Sequence, residues 1–288
     1  KQQFDVCDGQ GDLSAYRVLI LPDDAPMTPD LQAKLEQHLA RGGWLIASAR
    51  AGLNAEGTAY ALPGYPAVYV GPEPHDPSFF VAQPEAASGI PAMPVTIYTP
   101  GVAMQAAEGA TTLASLYRPY FNKATWDWRH EDMYMPPEGD TGRPALVKRG
   151  RMIHFSFPIF GAYYEHAVVQ YRDLLASCLA QALPDPMVRT RNLPSFGQAT
   201  VTQQGARRMV HLVAYVPELR GPTHQMIEEP ITLGNVEVQL RMDGRKVEKV
   251  YLAPSGEELP HEQAGGYVRV MVPRVVGYQM VVFETWPA

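Results

Sequence analysis

Tyr16–Leu53, YRVLILPDDAPMTPDLQAKLEQHLARGGWLIASARAGL, changes character at almost every point where a chain would change direction. Arg17 to Leu21 is a nearly continuous apolar run, as in a strand buried on both faces of a parallel sheet. Thr28 is an N-cap residue, and Pro29 follows at the first helical position, where its missing N–H costs nothing. Leu31, Leu35 and Leu39 then recur every four residues and give one apolar stripe. Gly42 and Gly43 end the helix where a left-handed residue is needed. Trp44 to Ala47 is a second apolar run. The stretch predicts a βαβ unit with a right-handed crossover.

In open α/β sheets ligands bind beyond the carboxyl ends of the strands. Those ends are Pro22-Asp23-Asp24 and Ser48-Ala49-Arg50-Ala51-Gly52. A hydrolase of the amidotransferase or peptidase type would carry a Cys or Ser on a sharp Gly-flanked turn there. Ser48 and Arg50 occupy the place, with no Cys and no G-x-S-x-G, so the sheet reads as retained and its chemistry as absent. A rival, enzymatic reading would use Ser48 or another nucleophile that no motif marks.

With 288 residues the chain has room for two domains. Its 27 prolines fall in connections, which predicts long ordered loops. A formal net charge of −6 argues against nucleic acid or an anionic membrane as the main partner. Cys7 and Cys178 lie far apart without metal-type spacing and read as reduced, packed thiols, which suits a reducing compartment and favours the cytoplasm. No run reaches membrane-span length and no signal peptide opens the chain. The chain starts without Met at Lys1-Gln2-Gln3-Phe4-Asp5-Val6, strand-like almost at once. A doubly wound domain has an earlier strand and helix, so a fragment or processed chain of something longer is expected.

After Leu53, Asn54 to Pro94 is Pro/Gly-rich, with Ala67–Val70 as a brief strand candidate. Val95–Tyr98 and Thr112–Leu116 are further strands, and Gly101–Ala110 reads as a turn-rich connection. Ala145–Lys148 and Arg151–Phe157 are strands around an Arg149-Gly150 turn. A second helix is predicted over Tyr163–Leu183, its stripe formed by Tyr164, Val168, Tyr171, Leu175, Cys178 or Leu179, and Ala182, with Pro184 ending it. Glu165 and His166 then fall near its N-terminal end, where the acid gains from the helix dipole.

Leu116–Pro137, LYRPYFNKATWDWRHEDMYMPP, has neither helical nor strand period. A loop holding Tyr117, Tyr120, Phe121, Trp126, Trp128 and Tyr134 must bury them against its own domain, a neighbouring subunit or a ligand. Trp, Tyr and Arg are enriched at interface hot spots, and aromatic faces flanked by polar groups suit sugars. Tyr120, Trp126, Trp128, Arg129 and His130 are therefore the candidate contact residues. His130-Glu131-Asp132 lacks a second ligand group at metal spacing, so no metal and no cofactor is expected.

Pro184-Asp185-Pro186 marks a boundary, beyond which the pattern has period two. Gln198–Gln203, Arg208–Tyr215, Val236–Met242, Lys249–Ala253, Tyr267–Val272 and Tyr278–Glu284 alternate as strands, with Asp243-Gly244, Ser255-Gly256 and Gly265-Gly266 as turns. About seven short strands in about a hundred residues predict a β-sandwich. His211 is expected to face solvent or a loop, and Glu228 and Glu229 to be solvated.

These parts, in this order, resemble the non-barrel portion of family-42-type β-galactosidases and related glycosyl hydrolases. The resemblance is carried by the strand–helix–Gly-Gly–strand stretch above and by PYFNKATWDWRH, FPIFGAYYEH, RRMVHLVAY and Val250–Pro260. It implies a flavodoxin-like (class I amidotransferase-like) trimerisation-type domain over 1–186 and a C-terminal β-sandwich over 187–288. It also implies a catalytic barrel on the N-terminal side, which needs roughly 250 residues and would carry the paired carboxylates of a glycosidase, so none is assigned here. The expected function is assembly, as a homo-oligomer and by family habit a trimer, and shaping of the entrance for a carbohydrate substrate. The rivals are a stand-alone amidotransferase-like hydrolase and a carbohydrate-binding protein.

Overall fold

The computed structural model describes residues 2–86, 88–125 and 135–285. The chain divides into two compact units, Cys7–Pro184 and Asp185–Ala288, the latter joined by Lys1–Val6.

The first unit opens with β1 (Val18–Leu21), α1 (Pro29–Ala40) and β2 (Trp44–Ser48). The Thr28 hydroxyl accepts from the Leu31 amide at 3.2 Å, and Gly42 is left-handed at φ 85°, so both predicted joints of this βαβ unit hold. Then come β3 (Ala67–Pro72), β4 (Ser78–Ala82), β5 (Val95–Ile97), β6 (Val102–Ala106), β7 (Thr111–Pro119), β8 (Pro137–Arg149) and β9 (Met152–Phe155), followed by α2 (Ile159–His166) and α3 (Val169–Ala182). Seven strands form one sheet in the order β1-β2-β9-β8-β7-β4-β5. β1, β2 and β9 are parallel, and the remaining pairs are antiparallel.

Both faces of this sheet are covered. Ile46 and Ile153 pack in one core with Phe80, Leu116, Phe155 and the α3 residues Tyr171, Leu174 and Cys178. Leu45, Ala47 and Val147, one position out of phase, pack on the opposite side with Leu35 of α1 and Met104 of β6. This is why the strand runs are continuously apolar and do not alternate.

Three expectations need correction. Gly101–Ala110 contains β6, which pairs antiparallel with β3 and buries Val102, Ala103 and Met104. The predicted helix Tyr163–Leu183 is two helices, because Ala167 adopts the left-handed conformation (φ 51°) and ends α2. Tyr164 is consequently exposed, and Glu165 and His166 sit at the C-terminal end of α2, not at an N-terminus. Cys178 is buried as a packed thiol, and burial pushes it up to about 12, but Cys7 is exposed.

The second unit contains β10 (Val188–Arg191), β11 (Gln198–Gln204), β12 (Arg207–Val213), β13 (Glu218–Arg220), β14 (His224–Met226), β15 (Thr232–Arg241), β16 (Val247–Ala253), β17 (His261–Ala264), β18 (Tyr267–Val276) and β19 (Tyr278–Thr285). Pairing is antiparallel throughout: eight strands sort into two four-stranded layers, β10-β15-β18-β17 and β11-β12-β19-β16, and β13 and β14 pair as a separate hairpin. The layers meet at the corner between β18 and β19, where Gly277 is left-handed (φ 66°) and a side chain would strike the Tyr215 ring at 2.4 Å. Inward residues such as Val210, Leu212, Val238, Val268, Val270, Val281 and Phe283 fill the space between them. This is the expected α/β unit followed by a β-sandwich. Residues 1–6 group with the sandwich because the Gln3 side chain imitates a strand residue on the free edge of β11. Its amide donates to the Ala199 carbonyl and its carbonyl accepts from the Val201 amide, both at 2.7 Å.

Candidate functional site

The carboxyl ends of β1 and β2 are closed by a polar knot. The Ser48 hydroxyl donates to the Asp23 carboxylate and accepts from the Asp23 amide, both at 2.7 Å. The same carboxylate accepts from the amides of Phe160 (3.3 Å) and Gly161 (2.7 Å), which open α2. An acceptor there satisfies helix amides that have no partner within the helix. Ser48 is fully buried.

The His154 ring of β9 is of no use to Ser48. In the β2–β9 register Ser48 pairs with Phe155 and Ala47 pairs with His154. Neighbouring residues alternate faces, so Ser48 and His154 project to opposite sides of the sheet. The sharp left-handed position after β2 (φ 50°) is held by Ala49, which has no reactive atom. The turn of a hydrolase is present without its nucleophile, so the geometry does not favour the amidotransferase-like rival.

His154 is itself fully enclosed. Its Nε2 lies 2.7 Å from the Tyr60 hydroxyl and its Nδ1 lies 3.0 Å from the Tyr65 hydroxyl. Tyr60 donates to the Ala49 carbonyl, which leaves its oxygen to accept from Nε2–H while Tyr65 donates to Nδ1. A neutral ring is thus satisfied on both sides. Burial pushes His154 down to about 3, with the Ala49 backbone pulling the other way, and burial drives both tyrosines upward.

A second cluster occupies the same end of the sheet. β8 runs antiparallel to β9, so residues before Ala145 extend beyond the carboxyl end of β9, and Arg143 stands there. Its guanidinium donates to the Glu73 carboxylate at 3.0 Å, and the same oxygen lies 2.6 Å from Nδ1 of His75. Glu73 follows β3 and is fixed by its amide, which donates to the Gly101 carbonyl at 3.1 Å. The Glu73 side chain is 3% exposed; those of His75 and Arg143 are each 20% exposed. Its second oxygen is enclosed without a hydrogen-bond partner among the described residues.

This cluster adjoins the root of the aromatic loop. The Asn122 side chain accepts from the Asp76 amide at 3.0 Å and donates to the Pro74 carbonyl at 2.6 Å. Lys123 donates its amide to the Asp76 carbonyl, and Tyr120 donates its amide to the Pro136 carbonyl, both at 2.8 Å. The root is therefore stitched to the His75–Asp76 segment.

Of the residues singled out in the sequence, Tyr120 is 59% exposed and packs edge-on against Phe121 with ring centroids 4.6 Å apart. Trp126, Trp128, Arg129 and His130 lie outside the described residues, as do Glu131 and Asp132. Among the described residues no group of three or more His, Cys, Asp or Glu could hold a metal, and no helix is long and apolar enough to cross a membrane. His211 bonds Thr202 and Tyr278 on the sandwich, each at 2.8 Å. Sequence reading missed Glu73, His75 and Arg143. Glu-Pro-His in a Pro-rich stretch was the only local signal, and Arg143 joins it from 68 residues beyond His75.

This architecture, an α/β unit followed by a β-sandwich, is shared with solved glycoside hydrolases. Alpha-L-fucosidase isoenzyme 2 from Paenibacillus thiaminolyticus is similar over 98% of this chain, at 32% identity and a TM-score of 0.90. A cold-adapted β-galactosidase from a Rahnella species covers 98% of the chain at 15% identity and a TM-score of 0.56. A GH42 β-galactosidase from G. stearothermophilus covers 96% at 15% identity and a TM-score of 0.54. The last two likenesses concern the fold alone. The chain spans 43% of the fucosidase and 34% and 33% of the two β-galactosidases, which is consistent with the non-barrel part of a glycoside hydrolase. No family model and no curated protein matches the sequence.

Proposed function

We propose that this chain is the assembly and substrate-entrance region of a glycoside hydrolase acting on carbohydrates, with the catalytic carboxylates carried by a barrel outside these 288 residues. The observation that carries the reading is the fucosidase match, at 98% of this chain but only 43% of the enzyme. The proposed partners are that barrel, further copies of the chain in a homo-oligomer such as a trimer, and a sugar of the fucoside or galactoside class. Exposed Tyr120 and Phe121 at the loop root support an aromatic rim that meets a neighbour or a sugar.

The test is Trp126→Ala. A hot-spot tryptophan contributes about 2 kcal/mol or more, so association or sugar binding should weaken by about thirtyfold. Circular dichroism should stay unchanged, while light scattering and titration calorimetry report the loss. A fall in thermal stability alone, with assembly and binding intact, would mark the loop as core packing and contradict the proposal.

A further inference from the structure

We propose that His75, held by the Glu73 carboxylate, is a sugar-hydroxyl-binding residue at the carboxyl-end rim of the seven-stranded sheet. The inference rests on the substrate-entrance reading and gives it a polar contact. Three observations converge on it, none from the aromatic loop itself.

The first is the 2.6 Å contact between Nδ1 of His75 and the Glu73 carboxylate. Two acceptors would repel at that distance, so Nδ1 carries its proton and donates. Arg143, 3.3 Å from the same nitrogen, is then a neighbour and not a donor to it. A ring fixed through one nitrogen presents the other in a set direction, the arrangement that orients functional histidines. The second is that Nε2 has no partner among the described residues while the side chain is 20% exposed, so the ring is reachable. A neutral ring offers an acceptor there, and a sugar hydroxyl, donor and acceptor at once, matches it.

The third is the Glu73 carboxylate. Its side chain is 97% buried by the 3% exposure above, yet one oxygen has no donor among the described residues. A buried unmatched acceptor is costly and rare. The other Glu73 oxygen accepts from the His75 backbone amide at 3.2 Å as well as from the ring and Arg143, so the acid fixes both the backbone and the imidazole of His75. A role in holding His75 and Arg143 toward a polar ligand explains the acid. Exposed Tyr120, whose loop root is bonded to the residues flanking His75, brings an aromatic face to the same rim. An aromatic face with adjacent acid and imidazole is the composition of a sugar subsite.

The experiment follows the His75 ring by NMR in the 288-residue chain during titration with L-fucose and with D-galactose, with indole fluorescence recorded in parallel. With one of the two sugars, the His75 resonances should shift at the concentration that changes the fluorescence. His75→Gln should then bind that sugar about tenfold more weakly, as for one lost hydrogen bond. Glu73→Ala should weaken binding similarly, and Glu73→Asp should restore part of it, which a purely structural role would not produce. Fluorescence that responds to sugar, with unmoved His75 resonances and unchanged affinity in His75→Gln, overturns the assignment and leaves the entrance reading standing. Silence of both signals with both sugars overturns the two together. Should His75→Gln misfold, the shift in the unsubstituted chain decides.

Discussion

Acidification from about pH 7 to about pH 5 should destabilise the α/β unit by about 2 kcal/mol through His154 alone. The ring is neutral in the folded state, where burial brings it down to about 3 from an ordinary 6.5. Between those two values the unfolded chain binds the extra proton, so stability rises with pH through the window. It is complete above the unfolded value and falls away as pH drops toward the folded one. His38 is lowered by burial too and contributes in the same direction. The comparison that isolates His154 is therefore His154→Gln against the parent, in denaturant melts across the window. The variant should be less stable at neutral pH, having lost its fit between Tyr60 and Tyr65, and should show a flatter pH dependence. Equal slopes would show that His154 takes up its proton in the folded state.

Gly101→Ala should cost about 3 kcal/mol, at the upper end of what overpacking produces. A Cβ on Gly101 would lie 2.1 Å from the Ser156 carbonyl oxygen and 2.6 Å from the Phe157 Cα. Both are backbone atoms of the segment leaving β9, so no side chain can swing aside. The Val102 amide donates to that same carbonyl at 2.7 Å, and the Glu73 amide to the Gly101 carbonyl, so relief of the clash moves Glu73 as well. Urea denaturation measures the loss, and displaced His75 resonances should accompany it. A change within about half a kcal/mol, the range of an ordinary surface substitution, would mean that the close approach is not maintained.

What the sequence made legible was local. Thr28, Pro29 and Gly42 fix the ends of α1 through backbone requirements that one residue satisfies by itself. The sandwich strands announce themselves because one face is apolar and the other wet. Features set by tertiary context stayed hidden. Ala167 has no intrinsic liking for the left-handed region, so the break between α2 and α3 leaves no mark in composition. β6 is too short and its residues too small for period two to register. The rim cluster is assembled by the β7–β8–β9 pairings from positions 73, 75 and 143, a separation that no motif spans. The aromatic loop was visible because its side chains are conspicuous wherever they lie, and Tyr120 at its root is exposed.

The reading of Ser48 turned on something that only register supplies. Beyond β2 the sequence offers a serine, an arginine and a glycine, the materials of a nucleophile turn. The pairing of Ser48 with Phe155 puts its hydroxyl on the face away from His154, and Asp23 occupies it. The scaffold is left with a carboxyl-end rim available for recognition, which is where the proposed entrance lies.

The most direct measurement is the intact mass of this polypeptide as its native cell produces it. The expected result is a chain several hundred residues longer than these 288, with two carboxylates in the added part whose removal abolishes glycoside hydrolysis. A mass matching the 288 residues would contradict the account and leave the chain a binding protein in its own right.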